Sequence, residues 1–150
     1  MTKLNIGDKA PNFSAKDQDG NLHTLADYKG KKLVVFFYPK ANTPGCTAEA
    51  CDLRDNFDRF KANNYALLGV SADSSKAQLK FKEKYEFPFP LIADEDKSVI
   101  EAFGVWGPKK FMGREYDGIH RTTFIINENG IIEDIISDVK TKAHAAQILK

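Results

Sequence analysis

The run Leu33-Val-Val-Phe-Phe-Tyr38, broken at once by Pro39, constrains this chain more than any other stretch. It is β-branched and aromatic and shows no polar alternation, which is the pattern of a central strand covered on both faces. Such a strand needs packed elements above and below it. Just beyond it Thr43-Pro44 marks a helix start, since threonine is a good N-cap and proline's missing N–H has no intrahelical partner in the first turn. Tyr65-Ala-Leu-Leu-Gly-Val-Ser71 is a second apolar strand, so a helix from about Pro44 to Asn63 lies between two strands. This is a βαβ unit, and its right-handed crossover makes the sheet partly parallel.

The remaining segments extend that core. Phe13 to Lys16 and Asn21 to Leu25 form a hairpin about Asp17-Gln-Asp-Gly20, and Ala26 to Lys32 is a polar connection. Ser74 or Ser75 caps a helix through Leu79, Phe81 and Tyr85, which Phe87-Pro-Phe-Pro90 ends. Leu91-Ile-Ala93 is a short strand, and a short helix with Val99, Ile100 and Phe103 closes at Gly104. Val105 to Gly118 reads as a long irregular loop, with Trp106, Phe111, Met112 and Tyr116 packing over a pocket. Arg121 to Asn127 and Ile131 to Ile136 make a hairpin through Glu128-Asn-Gly130, and Thr141 to Lys150 supplies a closing helix. The expected architecture is an α/β fold, one domain over 1–150, with a mixed central sheet flanked by helices.

Lysine plus arginine number 22 against 21 acidic residues, and the signs are interspersed, so neither nucleic acid nor an anionic membrane is the expected partner. The expected ligand is small. Met-Thr-Lys-Leu-Asn-Ile-Gly-Asp at the start lacks the apolar run of a signal peptide, and no stretch is long enough to span a bilayer, which points to the cytoplasm. In that reducing compartment the two cysteines, Cys46 and Cys51, would form only a transient disulfide. His23, His120 and His144 are widely separated, and no metal site is expected.

Cys46 falls in the first turn of the helix that Pro44 opens. Unpaired N–H groups and the positive end of the helix dipole favour an anion there, so such a thiol should ionise more readily than a free one. At about 100° per residue, Ala50, Leu53, Phe57 and Phe60 lie within about 40° of Cys46, which therefore shares the buried stripe; Cys51 points about 140° away. Taken alone, Cys46 could be a buried small hydrophobe, Thr43 a simple cap, Arg121 a surface residue and Glu49 a solvated one. His120, beside a strand, is read as structural.

The spacing Pro39-x-x-x-Thr43-x-x-Cys46 at a strand-to-helix junction resembles the active-site signature of the peroxiredoxins. Cys51, five residues on, resembles the bacterioferritin-comigratory (Q-type) subfamily. The resemblance extends over nearly the whole chain, including Gly104-Val-Trp-Gly107, Phe111-Met-Gly113 and Tyr116-Asp-Gly-Ile-His-Arg-Thr-Thr-Phe124. It implies a thioredoxin-like fold in which Cys46 attacks the peroxide and becomes a sulfenic acid, and Cys51 condenses with it to an intramolecular disulfide. It further implies that Arg121 and Thr43 assist the thiolate and peroxide, that Pro39 shields the pocket, and that the N–H groups of Gly45 and Cys46 hold peroxide oxygen. No metal, haem or flavin is implied, only an external thiol reductant of thioredoxin type, and the subfamily is commonly monomeric.

Two further readings bear on mechanism. Glu49, one turn after Cys46, would by itself disfavour the thiolate through like charge, so it is expected to orient an arginine. Arg54 is the rival arginine, but it lies about 12 Å along the helix, too far to touch the sulfur; Arg121 is the arginine that the resemblance implies. Cys46 and Cys51 in an intact helix are about 7.5 Å apart along its axis alone, beyond disulfide reach, so resolution requires the first turns to unwind. A thioredoxin-type oxidoreductase would need Cys-x-x-Cys instead; a non-catalytic redox sensor or holdase is the other alternative.

Overall fold

The computed structural model describes residues 2–149. The apolar run forms β3 (Lys32–Phe37), parallel to β4 (Tyr65–Ser71), which in turn is parallel to β5 (Leu91–Ala93). On its other side β3 pairs antiparallel with β8 (Thr122–Ile126), and β8 with β9 (Ile132–Ile136). The five-stranded sheet thus runs β5-β4-β3-β8-β9 and is mixed.

Strand pleating sends alternate residues of β3 to opposite faces. Leu33, Val35 and Phe37 join one core with Phe103, Phe124 and Ile132; Val34, Phe36 and Tyr38 join the other with Ala50, Leu53, Phe60 and Phe81. Both cores are rich in aromatic side chains. Gly69 of β4 lies against Phe36, where an added Cβ would stand 2.9 Å from the ring and 2.7 Å from Leu91, so only glycine fits without displacing a side chain.

The crossover between β3 and β4 is two helices, α1 (Pro44–Asp55) and α2 (Phe57–Ala62), rather than the single one expected to Asn63. Asn56 leaves helical geometry (φ −108°, ψ 13°) and its Nδ2 donates to Asp52 O (2.8 Å), which lets the chain turn while Phe60 stays in the core. α3 (Ser75–Tyr85) begins with Ser74 Oγ accepting from the Ala77 N–H, as its cap residue predicts.

The stretch expected to be irregular is also ordered differently. Trp106–Phe111 (β6) and Arg114–Ile119 (β7) form an antiparallel hairpin outside the main sheet, turned by Met112 (φ 52°) and Gly113 (φ 78°). Its glycines and proline hid the alternation. Of the four side chains expected over a pocket, Trp106 packs on the core, while Met112 at the tip is 86 % exposed, Phe111 64 % and Tyr116 49 %, so these three do not cover a pocket. β1 (Ser14–Lys16) and β2 (Leu22–Thr24) form the first hairpin, α4 (Ser98–Ala102) follows β5, and α5 (His144–Ile148) closes against α1.

Candidate active site

Topology decides which residues meet. The register Phe37 to Thr122 places Arg121 just past the C-terminal end of β3, where the chain turns into α1. A residue 75 positions from Cys46 is thereby delivered to the first turn of its helix. The turn itself is anchored from below: Ala41 N donates to Asp73 Oδ2 (2.8 Å), which also accepts from Ser71 Oγ (2.6 Å), and buried Gln78 links Ser71 Oγ to the Tyr38 hydroxyl.

Thr43 occupies the N-cap with extended backbone, but its hydroxyl does not cap the helix; it donates to Lys40 O (2.8 Å), closing the turn and leaving its lone pairs facing outward from that bond. Pro44 has no N–H, and the first helical bond is made by Thr47 N to Thr43 O (2.8 Å). The N–H groups of Gly45 and Cys46 therefore precede the helical ladder. Cys46 is buried on the stripe with Ala50, Leu53 and Phe60, as its helical angle predicts, while Phe57 is only partly buried.

Arg121 bridges two of the expected residues. Its Nη2 donates to Cys46 Sγ at 3.4 Å and its Nη1 to Glu49 Oε1 at 2.6 Å. Glu49 is fully buried, and the expectation that it orients an arginine matches this geometry. Burial pushes its carboxyl up to about 7, with the Arg121 guanidinium working in the opposite direction. Gly45 has a part that the motif did not announce: a Cβ there would lie 3.2 Å from Arg121 Nη2, so the missing side chain is what lets the guanidinium lie across the first turn.

The rival cation is turned away. Arg54 donates to Tyr85 O (2.8 Å) and pairs with Asp55 (2.9 Å). Cys51 is half-buried on another side of α1 and, like Cys46, is a free thiol; burial pushes its thiol up, with Arg54 opposing. Pro39 is half-buried immediately after Tyr38. His120 faces Pro108 O (3.0 Å) on β6, consistent with a structural part. The residue missed in the sequence is His144, fully buried, with Nε2 3.5 Å from Glu49 Oε2 and 2.7 Å from Thr123 Oγ1. A lone histidine near a chain end carries no motif that would have singled it out.

A thiol at a helix N-terminus, faced by an arginine that a buried glutamate holds, is a site for nucleophilic attack by sulfur. The model of the AhpC/TSA family matches residues 6–135. Escherichia coli K12 has a peroxiredoxin Bcp 49 % identical over 149 residues, covering 99 % of this chain and 96 % of that one. The chain belongs to the AhpC/TSA family of peroxiredoxins. Peroxiredoxin Bcp of Bacillus subtilis is 46 % identical over 147 residues, covering 98 % and 94 %. Among solved structures, a cysteine-to-serine mutant of Xylella fastidiosa PrxQ superposes with a TM-score of 0.92 at 35 % identity, covering 99 % of this chain and 95 % of that one. Peroxidoxin BcpB from Mycobacterium tuberculosis gives 0.86 at 35 % identity, covering 97 % and 94 %. The fold is thus thioredoxin-like, and this peroxiredoxin is a thiol-dependent peroxidase. Among the described residues no helix is long and apolar enough to cross a membrane.

Proposed function

We propose that Cys46 is the attacking thiol of this peroxidase and Cys51 its resolving partner. The observation that carries the reading is the contact of Arg121 Nη2 with Cys46 Sγ, made while the same guanidinium is tied to buried Glu49. A permanent cation so placed favours sulfur as thiolate and is not free to swing away.

The thiolate attacks one peroxide oxygen. An S–O bond forms as the O–O bond breaks, the second oxygen leaves as alkoxide or hydroxide and takes a proton, and sulfur is oxidised to a sulfenic acid while the peroxide gains two electrons. Charge grows on the leaving oxygen, and donors already in place stabilise it: Arg121, and the N–H groups of Gly45 and Cys46 at the helix start. Thr43 Oγ1, its proton engaged by Lys40 O, offers lone pairs to the peroxide O–H. Pro39 screens the site from water.

Cys51 then attacks the sulfenic sulfur, releasing water and forming a disulfide that an external dithiol, of thioredoxin type, returns to two thiols. With both cysteines in α1, the first turns must unwind for this step, and no second chain is required, so a monomer working in the cytoplasm suffices. Hydrogen peroxide and small organic hydroperoxides are the substrates, with no metal or prosthetic group.

Rapid-mixing oxidation followed by thiol titration tests the assignment. Cys46→Ser should abolish peroxide consumption. Cys51→Ser should leave the first oxidation fast and block the intramolecular disulfide; full turnover of that variant with thioredoxin as sole reductant would remove Cys51 as resolver. Oxidation should also lower the helical circular dichroism, and an unchanged helix in the disulfide form would remove the unwinding step.

A further inference from the structure

Behind the Arg121–Glu49 pair lies a second layer that the peroxide chemistry does not use. Gln147 Nε2 donates to Asp138 O (2.9 Å), and its Oε1 accepts from Lys140 N (3.0 Å), which fixes the amide orientation. That oxygen faces His144 Nδ1 at 2.7 Å, so Nδ1 must carry the proton. In a neutral ring Nε2 is then an acceptor whose single lone pair is taken by the Thr123 hydroxyl at 2.7 Å. A proton on Nε2 would reverse that bond, Thr123 Oγ1 then accepting, and would also face Glu49. Glu49 Oε2, 3.5 Å from the same Nε2, is the one buried side-chain oxygen or nitrogen among the described residues that lacks a hydrogen-bond partner. Two acceptors face one another where both side chains are fully buried, and only Oε2 is left without a donor. Such an arrangement is costly unless a proton lies between them.

We propose that His144 is a positioning residue for peroxide reduction: with Glu49 it holds one proton between Oε2 and Nε2, which locks the carboxyl and, through it, Arg121 against Cys46. Charge balance supports this. In the proposed reaction Cys46 attacks as a thiolate, and thiolate, guanidinium and carboxylate would together leave one net negative charge in the cluster, which a single proton on the pair cancels. Burial acts in that sense too, raising the Glu49 carboxyl and pushing the His144 imidazole below its ordinary value. The charged groups around the pair are Arg121 ahead of β8 and Asp52 from α1; Cys46 of α1 faces Arg121 at 3.4 Å, and Lys109 of β6 lies beyond, facing Arg121 and Cys46. When attack discharges the sulfur, the carboxylate can pair with Arg121 alone. The proton lost by the pair then equals the proton taken up by the leaving oxygen, so the step balances without net uptake.

The proposal rests on Cys46 as the attacking thiol, which Cys46→Ser tests separately in a chain that keeps His144. The deciding measurement is the second-order rate constant of oxidation by hydrogen peroxide between about pH 6 and 8.5. In the wild type it should fall several-fold as pH rises through the range where the pair loses its proton. His144→Leu should oxidise roughly tenfold more slowly at pH 7, the kinetic equivalent of one lost buried hydrogen bond. His144→Gln, whose amide presents a fixed N–H to Oε2, should stay within about twofold of the wild-type maximum and lose the pH dependence. A wild-type rate in folded His144→Leu, or the wild-type pH profile in His144→Gln, overturns it. Imidazole nitrogen NMR of the unmodified protein needs no variant to fold: His144 should show the Nδ1–H tautomer and an Nε2 signal that shifts over the same pH range, and an invariant signal overturns the proposal.

Discussion

Two carboxylate–histidine pairs stand out among the described residues, one part-buried and one fully buried, and they are built to opposite specifications. In the first hairpin Asp17 Oδ1 accepts from the N–H groups of Asp19 and Asn21 (2.9 and 3.0 Å), Oδ2 faces His23 Nε2 (2.7 Å), and His23 Nδ1 faces the Tyr28 hydroxyl (2.7 Å). Every polar atom has a partner. Beside Cys46, Glu49 instead has one oxygen held by Arg121 and the other without a hydrogen bond. The satisfied cluster ties a turn to a strand; the other leaves a place for a proton beside the arginine that faces Cys46. Completeness is what a structural pair requires, and the missing bond is what the proposed role of the other rests on.

The comparison breaks if the two clusters respond alike to substitution. Arg121→Met should slow oxidation of Cys46 by roughly 100-fold, the usual cost of losing one preorganised donor, measured under conditions where the variant, its Glu49 left unpaired, is still folded. Asp17→Ala should do the reverse: a loss of about 2–3 kcal/mol in urea unfolding, because two backbone N–H groups and a histidine lose their acceptor, with the oxidation rate within about twofold of wild type.

The pairs should also differ in the sign of their pH dependence. For Asp17 burial works upward, but His23 and the Asp19 and Asn21 N–H groups outweigh it and hold the carboxyl below its ordinary 3.8. Its contribution to stability is therefore present above pH 3.8 and lost as pH falls through the lower folded value. Glu49 is raised from 4.5 to about 7, so its contribution is full below 4.5 and is lost as pH rises through about 7. Unfolding free energies measured against Asp17→Asn and Glu49→Gln should show opposite slopes in those two windows; parallel slopes would erase the distinction. The smallest effect is expected for Gly45→Ala, whose Cβ must push Arg121 by a few tenths of an ångström and should slow oxidation about threefold.

The sheet was legible because β3 and β4 are unbroken apolar runs that fit nothing else, and the thiol's helix because Thr43-Pro44 opens it. Arg121 and Glu49 could be named from the signature and from charge. Features that depend on distant packing were not legible. Asn56 interrupts the crossover helix with an ordinary helix-tolerated residue, the β6–β7 hairpin hides behind glycines, and His144 acquires its place only when α5 docks beside Glu49. Thr43 was read as a side-chain cap, yet its hydroxyl prefers Lys40 O three residues back. Local pattern identifies which residue stands at a position; which of its partners wins is settled by the surrounding fold.

α1 carries one more tie to the chain's end: Asp52 Oδ2 accepts the Ala145 N–H at 2.7 Å, one residue beyond the histidine that Glu49 faces. Glu49 and Asp52 flank Cys51. If Cys51 resolves Cys46 as proposed, the unwinding of the first turns of α1 passes through Glu49, which faces α5, and the last described helix should be held less firmly in the disulfide form. Amide protons of residues 145–149 should then exchange slowly in the dithiol enzyme and quickly in the disulfide form, giving the chemistry at Cys46 a readout at the opposite end of the polypeptide.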